Sequence, residues 1–417
     1  MAGWTTPTIL FDDARGDLGP LSDLRASFEQ RTAGWTLLER ARTLADVVGL
    51  AVPHALAAVV SERHGMPANA APANALFVNG RIHVPFGPAL AARLDGLQPG
   101  QGVQAADGSV VAVRLSGAAC AAFAHALAQG THAAPAGTPA GVSLAAADAP
   151  ALWARPWDLL DATRLGALMA ADIAAVVARW GGGDADTVPA HATALGSAGI
   201  HLHRSSTVGA GVVLDATGGP ILVDAGAELR HGAILVGPCI VGPGTIVGER
   251  AVLKARTALG PQCRAAGEVG SAIFQGFSNT AHDGHLGDAL VGEWVNLGAG
   301  TVNSNLLNTY GEVVMRLRGD GPLERTGRQF MGCILGDHAK TAIGTRIMTG
   351  SSIGTGAMWA AGEAIAGCVD AFAWRTDEGQ RTYRLDKFMA VARTVMARRK
   401  VTPGPAYEAR LAALAGG

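Results

Sequence analysis

The sequence predicts an α/β domain, then a solenoid of short parallel strands, then a C-terminal helical segment. Three observations predict it. Val223, Leu229, Leu235, Val241, Val247, Leu253 and Leu259 recur at every sixth position, and Ile221, Ala227, Ala233, Cys239, Thr245, Ala251 and Thr257 stand two positions before them. Residues 1–195 lack this period and alternate short apolar runs, such as "TILF" and "ALFVNG", with helical candidates such as "WTLLERARTLADVV". Near the end, Leu385, Phe388, Met389, Ala392, Val395 and Met396 form one apolar helical face. The expected domains are therefore 1–195, 196–370 and 371–417.

A six-residue period cannot hold one face of a helix, because 3.6 residues per turn scatters every sixth residue around the cylinder. A solenoid accommodates it, with branched residues pointing into a narrow core and small ones at tight corners. Gly242, Gly248 and Gly260, directly after the apolar positions, are expected to serve as turn residues. The period is picked up at Leu202, Val208 and Leu214, at Val291 and Leu297, and at Ile347, Ile353 and Trp359, so the solenoid is expected over about 200–365. Two breaks, roughly 261–288 and 303–334, are expected to be loops or excursions, where function tends to be placed.

Composition narrows the function classes. An apolar content of 49% with 16% charged residues reads as globular, and 33 basic against 34 acidic residues give a formal charge of -1. Nothing in that balance points to nucleic acid or an anionic membrane. The longest uncharged run, from Leu115 to Ala147, is broken by glycines and prolines and is not a membrane span. Cys120, Cys239, Cys263, Cys333 and Cys368 form an odd set without a C-x-x-C, which argues against a disulfide framework and a zinc site. With no secretory pattern at the N-terminus, a cytoplasmic protein is expected. His201 and His203 share a strand face, but without a nearby carboxylate or cysteine they read as exposed strand positions, and no metal site is expected.

The stretch that begins in the first break carries the chemistry. "AHDGHLG" (281–287) resembles the A-H-D-C-x-x-G stretch of UDP-N-acetylglucosamine acyltransferases. "HDGHLGDALVGEWVNLGAGTVNSN" aligns without a gap on the H-L-x-Y-x-G-D…N-x-G-A-G-T…N run of the bifunctional N-acetylglucosamine-1-phosphate uridyltransferase/acetyltransferase. Both belong to the hexapeptide-repeat acyltransferases. The resemblance implies a left-handed parallel β-helix, a homotrimer, and an acyl-CoA co-substrate bound between subunits. The stretches "FSNTAHDGHLGDALVGEWVNLGAGTVNSNLLNTYG" and "ILGDHAKTAIGTRIMTGSSIG" also resemble a bacterial branch of sugar nucleotidyltransferases related to that bifunctional enzyme.

Acyl transfer to an amine needs a proton acceptor, and an imidazole is suited to that at neutral pH. His282 is the candidate base, and Asp283 the candidate for fixing its tautomer. The backbone of Gly298, Ala299 and Gly300 is the candidate oxyanion and cofactor contact. The resemblance makes Asn296 and Asn305 sugar- or acetyl-binding, and places His285 where the bifunctional enzyme carries a tyrosine. Lys340 is read both as a phosphate contact and as a surface lysine. Arg398, Arg399 and Lys400 are expected to form a solvated helix end, a reading preferred to a CoA phosphate site.

In the front domain, "LGPLSDLRASFEQRTAGWTLLERA" resembles the L-x-P-L-[ST]-x-x-R-P-K stretch of nucleoside-diphosphate-sugar pyrophosphorylases, which makes Arg25 a substrate-binding candidate. The Gly-rich phosphate loop expected just upstream is replaced by "FDDARGD", without its glycines or lysine. Nucleotidyl transfer is therefore expected to be slow or absent, and Mg²⁺ to be needed only if that domain is active. The leading expectation is acyl-CoA-dependent transfer, with acetyl as the expected group, to an amino sugar phosphate or nucleotide sugar. The alternatives are an active sugar-1-phosphate nucleotidyltransferase using UTP or dTTP, and a non-catalytic sugar-nucleotide-binding trimer.

Overall fold

The computed structural model describes residues 4–85, 88–130, 143–146, 152–181 and 185–416. Two compact units divide the chain: one takes residues 1–17, 24–159 and 404–413, the other 18–23, 160–403 and 414–417.

The first unit is a mixed six-stranded sheet with helices, as the alternation of apolar runs and helical patterns implies. Its strands are β1 (Thr8–Phe11), β2 (Val47–Ala51), β3 (Asn74–Asn79), β4 (Gln101–Gln104), β5 (Val110–Ser116) and β6 (Ser143–Ala146), in the order β2-β1-β3-β5-β4-β6. β1 pairs parallel with β2 and β3, and β5 is antiparallel to β3 and β4. β1 is buried along its whole length, as a central parallel strand covered on both faces should be. Phe11 and Phe77 meet Phe123 of the Ala118–Ala128 helix edge-on at 5.6 and 5.1 Å. "TILF" and "ALFVNG" thus form strands. "WTLLERARTLADVV" is helical only over Leu37–Ala41, where Thr36 accepts from Glu39 N–H and Glu39 reaches back to Thr36 N–H. Its Val47 and Val48 already belong to β2, where two β-branched residues suit a strand.

The second unit is a parallel β-solenoid with three sheet faces, of ten, eight and nine strands, the last interrupted where Asn296 makes only single bridges. The six-residue period is three strands per coil: Glu228 pairs with Ile246 and Ile246 with Arg264, eighteen residues apart each time. Both sequence series, Val223 to Leu259 and Ile221 to Thr257, are buried at 0–1% exposure. Gly242, Gly248 and Gly260 differ from expectation, since none of them has a positive φ. What they provide is close approach of coils: a Cβ on Gly242 would lie 2.6 Å from Leu259 O, and one on Gly260 2.4 Å from Gln275 O. The left-handed backbone sits two residues further on, at Gly244 (φ 65°) and Gln262 (φ 57°).

The break at 261–288 is not an excursion. Strands Arg264–Ala265, Glu268–Gly270, Ile273–Gly276, Asn279–Thr280 and His285–Gly287 continue all three faces in parallel register. The coil is shorter there, with Ala258 facing Ile273 and Arg264 facing Asn279 at fifteen residues, so the sequence period fails while the structure persists. The break at 303–334 is a true excursion, carrying the hairpin Val314–Arg316/Leu323–Arg325.

Aromatic residues stand at successive left-handed corners of the solenoid. Phe277 (φ 56°), Trp294 (φ 62°) and His338 (φ 60°) stack in a column, with ring centroids 4.3 and 6.3 Å apart and both interplanar angles 16°. The Leu385–Ala397 helix docks on this column through Phe388, which meets His338, Phe372 and Tyr383 edge-on. Of its expected apolar face, Phe388, Ala392 and Met396 are buried. A second helix, Pro405–Ala415, follows, its first N–H groups bonded by Glu62 from Ala406 and Tyr407. Among the described residues no helix is long and apolar enough to cross a membrane.

Candidate functional site

Parallel register stacks Arg264, Asn279, Asn296 and Lys340 in one column, each in the next coil along a single sheet face. Their strand neighbours Ala265, Thr280, Leu297 and Thr341 are buried at 1–7% exposure, so the column itself faces outward. Three inter-strand steps of about 4.8 Å make it roughly 14 Å long. The end of the Leu385–Ala397 helix lies over one side and closes a groove of about 560 Å³. Its walls include His282, Gly298, Ala299, Phe277 and Trp294 from the solenoid, and Val395, Arg398 and Arg399 from the helix end.

Five of the ten sequence candidates therefore meet in one groove: His282, Asn296, Gly298, Ala299 and Lys340. His282 occupies the exposed turn between Asn279–Thr280 on this face and His285–Gly287 on the next, so the imidazole stands at a corner of the solenoid. Neither His282 nor Asp283 forms a side-chain hydrogen bond among the described residues, and Asp283 is not a wall of the groove. The expected tautomer-fixing bond between them is absent here, both side chains being solvated in the turn. Among the three backbone candidates, Gly298 N–H already donates to Thr341 and Gly300 N–H to Asp283 O at 2.8 Å. Ala299 N–H has no protein acceptor, which leaves it as the donor open to a ligand.

His285 and Asn305 lie on the neighbouring face and form a second patch. His285 Nδ1 is 3.0 Å from Glu268 Oε1, which also accepts from Lys254 Nζ at 2.7 Å. Asn305 Nδ2 donates to Asp288 Oδ2 at 2.7 Å. The two flank Gly287, whose added Cβ would be 2.9 Å from His285 Nε2 and 2.8 Å from Asn305 Nδ2. Burial pushes the Asp288 carboxyl up, while the Lys254 ammonium beside Glu268 holds that carboxyl down despite its own desolvation.

Lys340 is partly buried and its ammonium donates to His338 O at 3.0 Å; desolvation pushes its pKa down to about 8. The expected solvated helix end is corrected at two positions: Arg398 and Arg399 line the groove, and Arg399 Nη2 donates to Asn279 Oδ1 at 2.9 Å, while Lys400 is exposed. Arg264 was not read as a site residue, and for Arg398 and Arg399 a phosphate site was only the second reading, because it is docking of a helix more than a hundred residues away that brings those two there. His203 stands edge-on to Trp180 at 5.0 Å and bonds Ser205, while burial lowers the pKa of His201.

In the first unit, the loop after β1 is closed by charge. Arg81 donates to both Asp13 oxygens, from Nε and Nη2 at 2.7 Å each, and Asn79 Nδ2 adds a third bond at 2.9 Å. Arg81 and Arg15 also bond Ser109, whose hydroxyl donates to Asp107. Gly16 packs so tightly that a Cβ would fall 2.3 Å from the Trp153 ring. Asp12 accepts from Ala14 and Ser27 N–H, yet burial raises its pKa to about 6. Arg25 is buried at 4% exposure.

The chain resembles known proteins over part of its length. Residues 8–178 match the sugar nucleotidyl transferase family. The chain is 30% identical over 167 residues to the bifunctional protein GlmU of Jannaschia sp., covering 40% of this chain and 32% of that protein. It is 29% identical over 138 residues to the bifunctional sugar-1-phosphate nucleotidylyltransferase/acetyltransferase of Sulfurisphaera tokodaii, covering 33% of this chain and 34% of the relative. A GlmU of Rippkaea orientalis matches at 39% over 67 residues, 16% of this chain and 15% of the relative. The matched part spans about a third or less of each of these relatives. The resemblance read from the sequence holds, to both the sugar nucleotidyl transferases and the bifunctional proteins.

Proposed function

We propose that the chain transfers an acyl group, an acetyl group by analogy with the names of its relatives, from an acyl-CoA to the amine of an amino sugar phosphate or nucleotide sugar. The observation that carries this reading is that His282, Ala299, Asn296 and Lys340 line one groove. His282 stands at the corner between that groove and the His285/Asn305 patch, so the reading puts the thioester in the groove and the sugar on the adjacent face. The amine nitrogen attacks the thioester carbonyl carbon and gives its proton to His282. The carbonyl oxygen takes up negative charge, received by Ala299 N–H. When the carbon–sulfur bond breaks, the imidazolium returns the proton to the departing thiolate, leaving amide and free thiol.

Asn296 supplies both an amide donor and an acceptor for an acyl or sugar group. Exposed apolar side chains at the groove and on the sheets beside it, Ile343 at 80%, Met348 at 46% and Val302 at 38%, favour closure of the open side by further copies of the chain, and the proposed assembly is a cytoplasmic homotrimer. His282→Ala should reduce acyl transfer to amine by about 10²- to 10⁴-fold and leave the melting temperature unchanged, because the His282 side chain is exposed and makes no hydrogen bond among the described residues. Steady-state kinetics of the two proteins, with sedimentation to establish the trimer, test this. Full activity in the variant, or a wild-type protein that turns over no acyl-CoA, removes the proposal.

A further inference from the structure

The stretch Leu18–Asp23, whose sequence resembles the pyrophosphorylase substrate segment, belongs with the solenoid. The second unit includes it, while the chain before and after it, 1–17 and 24–159, belongs to the first. Two side chains of the solenoid unit fasten it there. Arg318 donates from Nη1 to Asp23 Oδ1 at 2.8 Å and from Nη2 to Gly19 O at 2.7 Å. The Thr355 hydroxyl donates to Asp23 Oδ2 at 2.6 Å and lies 3.2 Å from Pro20 O. Asp23 is 4% exposed, so its carboxylate depends on these donors for the solvation it has lost.

Arg318 stands at the tip of the excursion 303–334, and Asn305 at its foot. The two legs between them are paired. Met331 N–H donates to Asn305 O at 2.9 Å, Leu306 bridges Phe330, Val313 N–H donates to Arg328 O at 2.8 Å, and Val314–Arg316 pairs with Leu323–Arg325. Glu312 braces them by accepting from Arg325 and from Gly327 N–H. At the foot, Asn305 Nδ2 and Gly332 N–H both bond Asp288, at 2.7 and 2.8 Å. A two-stranded hairpin alone is marginally stable in water, so the place of this arm depends on its anchors. Packing does not fill the junction at the tip: a cavity of about 590 Å³ lies against it, lined by Pro20, Asp23, Leu317 and Arg318 among others. The directional, charge-assisted bonds of Arg318 therefore set where the tip lies.

We propose that Asp23, Thr355 and Arg318 form a latch that positions Asn305 for the amine substrate, so that the Leu18–Asp23 stretch serves the acceptor patch of the solenoid. The three are positioning residues, acting through the paired arm. The inference rests on the proposed function, in which the sugar lies at the His285/Asn305 patch.

Hydrogen exchange and steady-state kinetics of the full chain test it, with glucosamine 1-phosphate and acetyl-CoA as substrates. The variants are Arg318→Gln, Thr355→Val and the double variant Asp23→Asn/Arg318→Gln. In Arg318→Gln the amides of Val313 and Met331 should exchange about ten-fold faster, while those of Cys239–Val241 stay protected. The KM for glucosamine 1-phosphate should rise about five-fold, with kcat and the KM for acetyl-CoA within about two-fold, because only binding at the patch changes. The double variant should be no worse than Arg318→Gln, since both substitutions open one latch. Thr355→Val should act in the same direction, and it keeps the test decisive if Arg318→Gln does not fold. Unchanged exchange at Met331, or faster exchange with an unchanged KM for glucosamine 1-phosphate, overturns the inference. A wild-type protein that turns over no acetyl-CoA removes the acyl-transfer reading instead, and exchange at Met331 alone then decides whether the latch reaches Asn305.

Discussion

Glu29 shows how single residues of the first unit combine burial with charge. Its carboxylate is 7% exposed, and burial alone would raise its pKa. Arg63 at 2.6 Å, His64 at 2.8 Å and the N–H of Ala26 outweigh that and pull it from about 4.5 down to about 2. A carboxyl group whose folded pKa is depressed stabilises the fold above its unfolded pKa and loses that contribution as pH falls through the folded one. Glu29→Gln should therefore cost about 3 kcal/mol at pH 7, and the gap between variant and wild type should narrow between about pH 4.5 and 2. Urea unfolding across that range measures it; a gap that is constant with pH would mean Glu29 contributes packing and not charge. Lys340 has the opposite sense, since its depressed pKa makes the folded state lose a proton first as pH rises through about 8. Its charge costs stability below that value, a cost that an anion in the groove would offset.

At the scale of elements, the repeat was legible because buried branched residues at six-residue spacing leave a strict pattern from Val223 to Leu259. It became illegible at 261–288 because the coil contracts by three residues, which shifts the period without changing which strands pair. The aromatic column was hidden as well, as Phe277, Trp294 and His338 are 17 and 44 residues apart, the second gap holding the 303–334 excursion, and they meet only through successive corners. His282 was legible from its resemblance and Ala299 from its glycine neighbours. Arg398 and Arg399 were legible only as a second reading, because their place depends on where the Leu385–Ala397 helix docks, and Arg264 was not legible at all. Phe388 fixes that docking, so Phe388→Ala should release the helix, at a cost of about 3–5 kcal/mol. Hydrogen exchange should show protection lost over Leu385–Ala397 and retained in strands such as Cys239–Val241 and Thr257–Leu259. Retained protection in the helix would show that Ala392 and Met396 hold it without the aromatic contact.

For the whole molecule, the question is whether a chain of two units that resembles bifunctional transferases performs two reactions. Ligands of open α/β sheets bind beyond the carboxyl ends of parallel strands, here Phe11 of β1 and Asn79 of β3. Beyond those ends lie the buried Asp13–Arg81 pair, Asp12, and Gly16 packed on Trp153. A triphosphate arriving there would meet a cation already neutralised by two bonds to a carboxylate, and opening a buried pair of this kind costs about 3–5 kcal/mol. Residues 8–178 match the sugar nucleotidyl transferase family, yet the local chemistry opposes the activity that family is named for. Nucleotidyl transfer from UTP or dTTP to a sugar 1-phosphate should run well below about one turnover per second with Mg²⁺ present, while the solenoid carries the proposed acyl transfer. A coupled pyrophosphate-release assay on the wild-type protein measures the rate directly. Turnover at ordinary enzyme rates would mean that Asp13 exchanges Arg81 for a metal ion when nucleotide binds. Asp13→Asn should then abolish that turnover; if the wild-type protein is already inactive, the same substitution should only destabilise the first unit, because it leaves the Arg81 guanidinium buried without its charge partner.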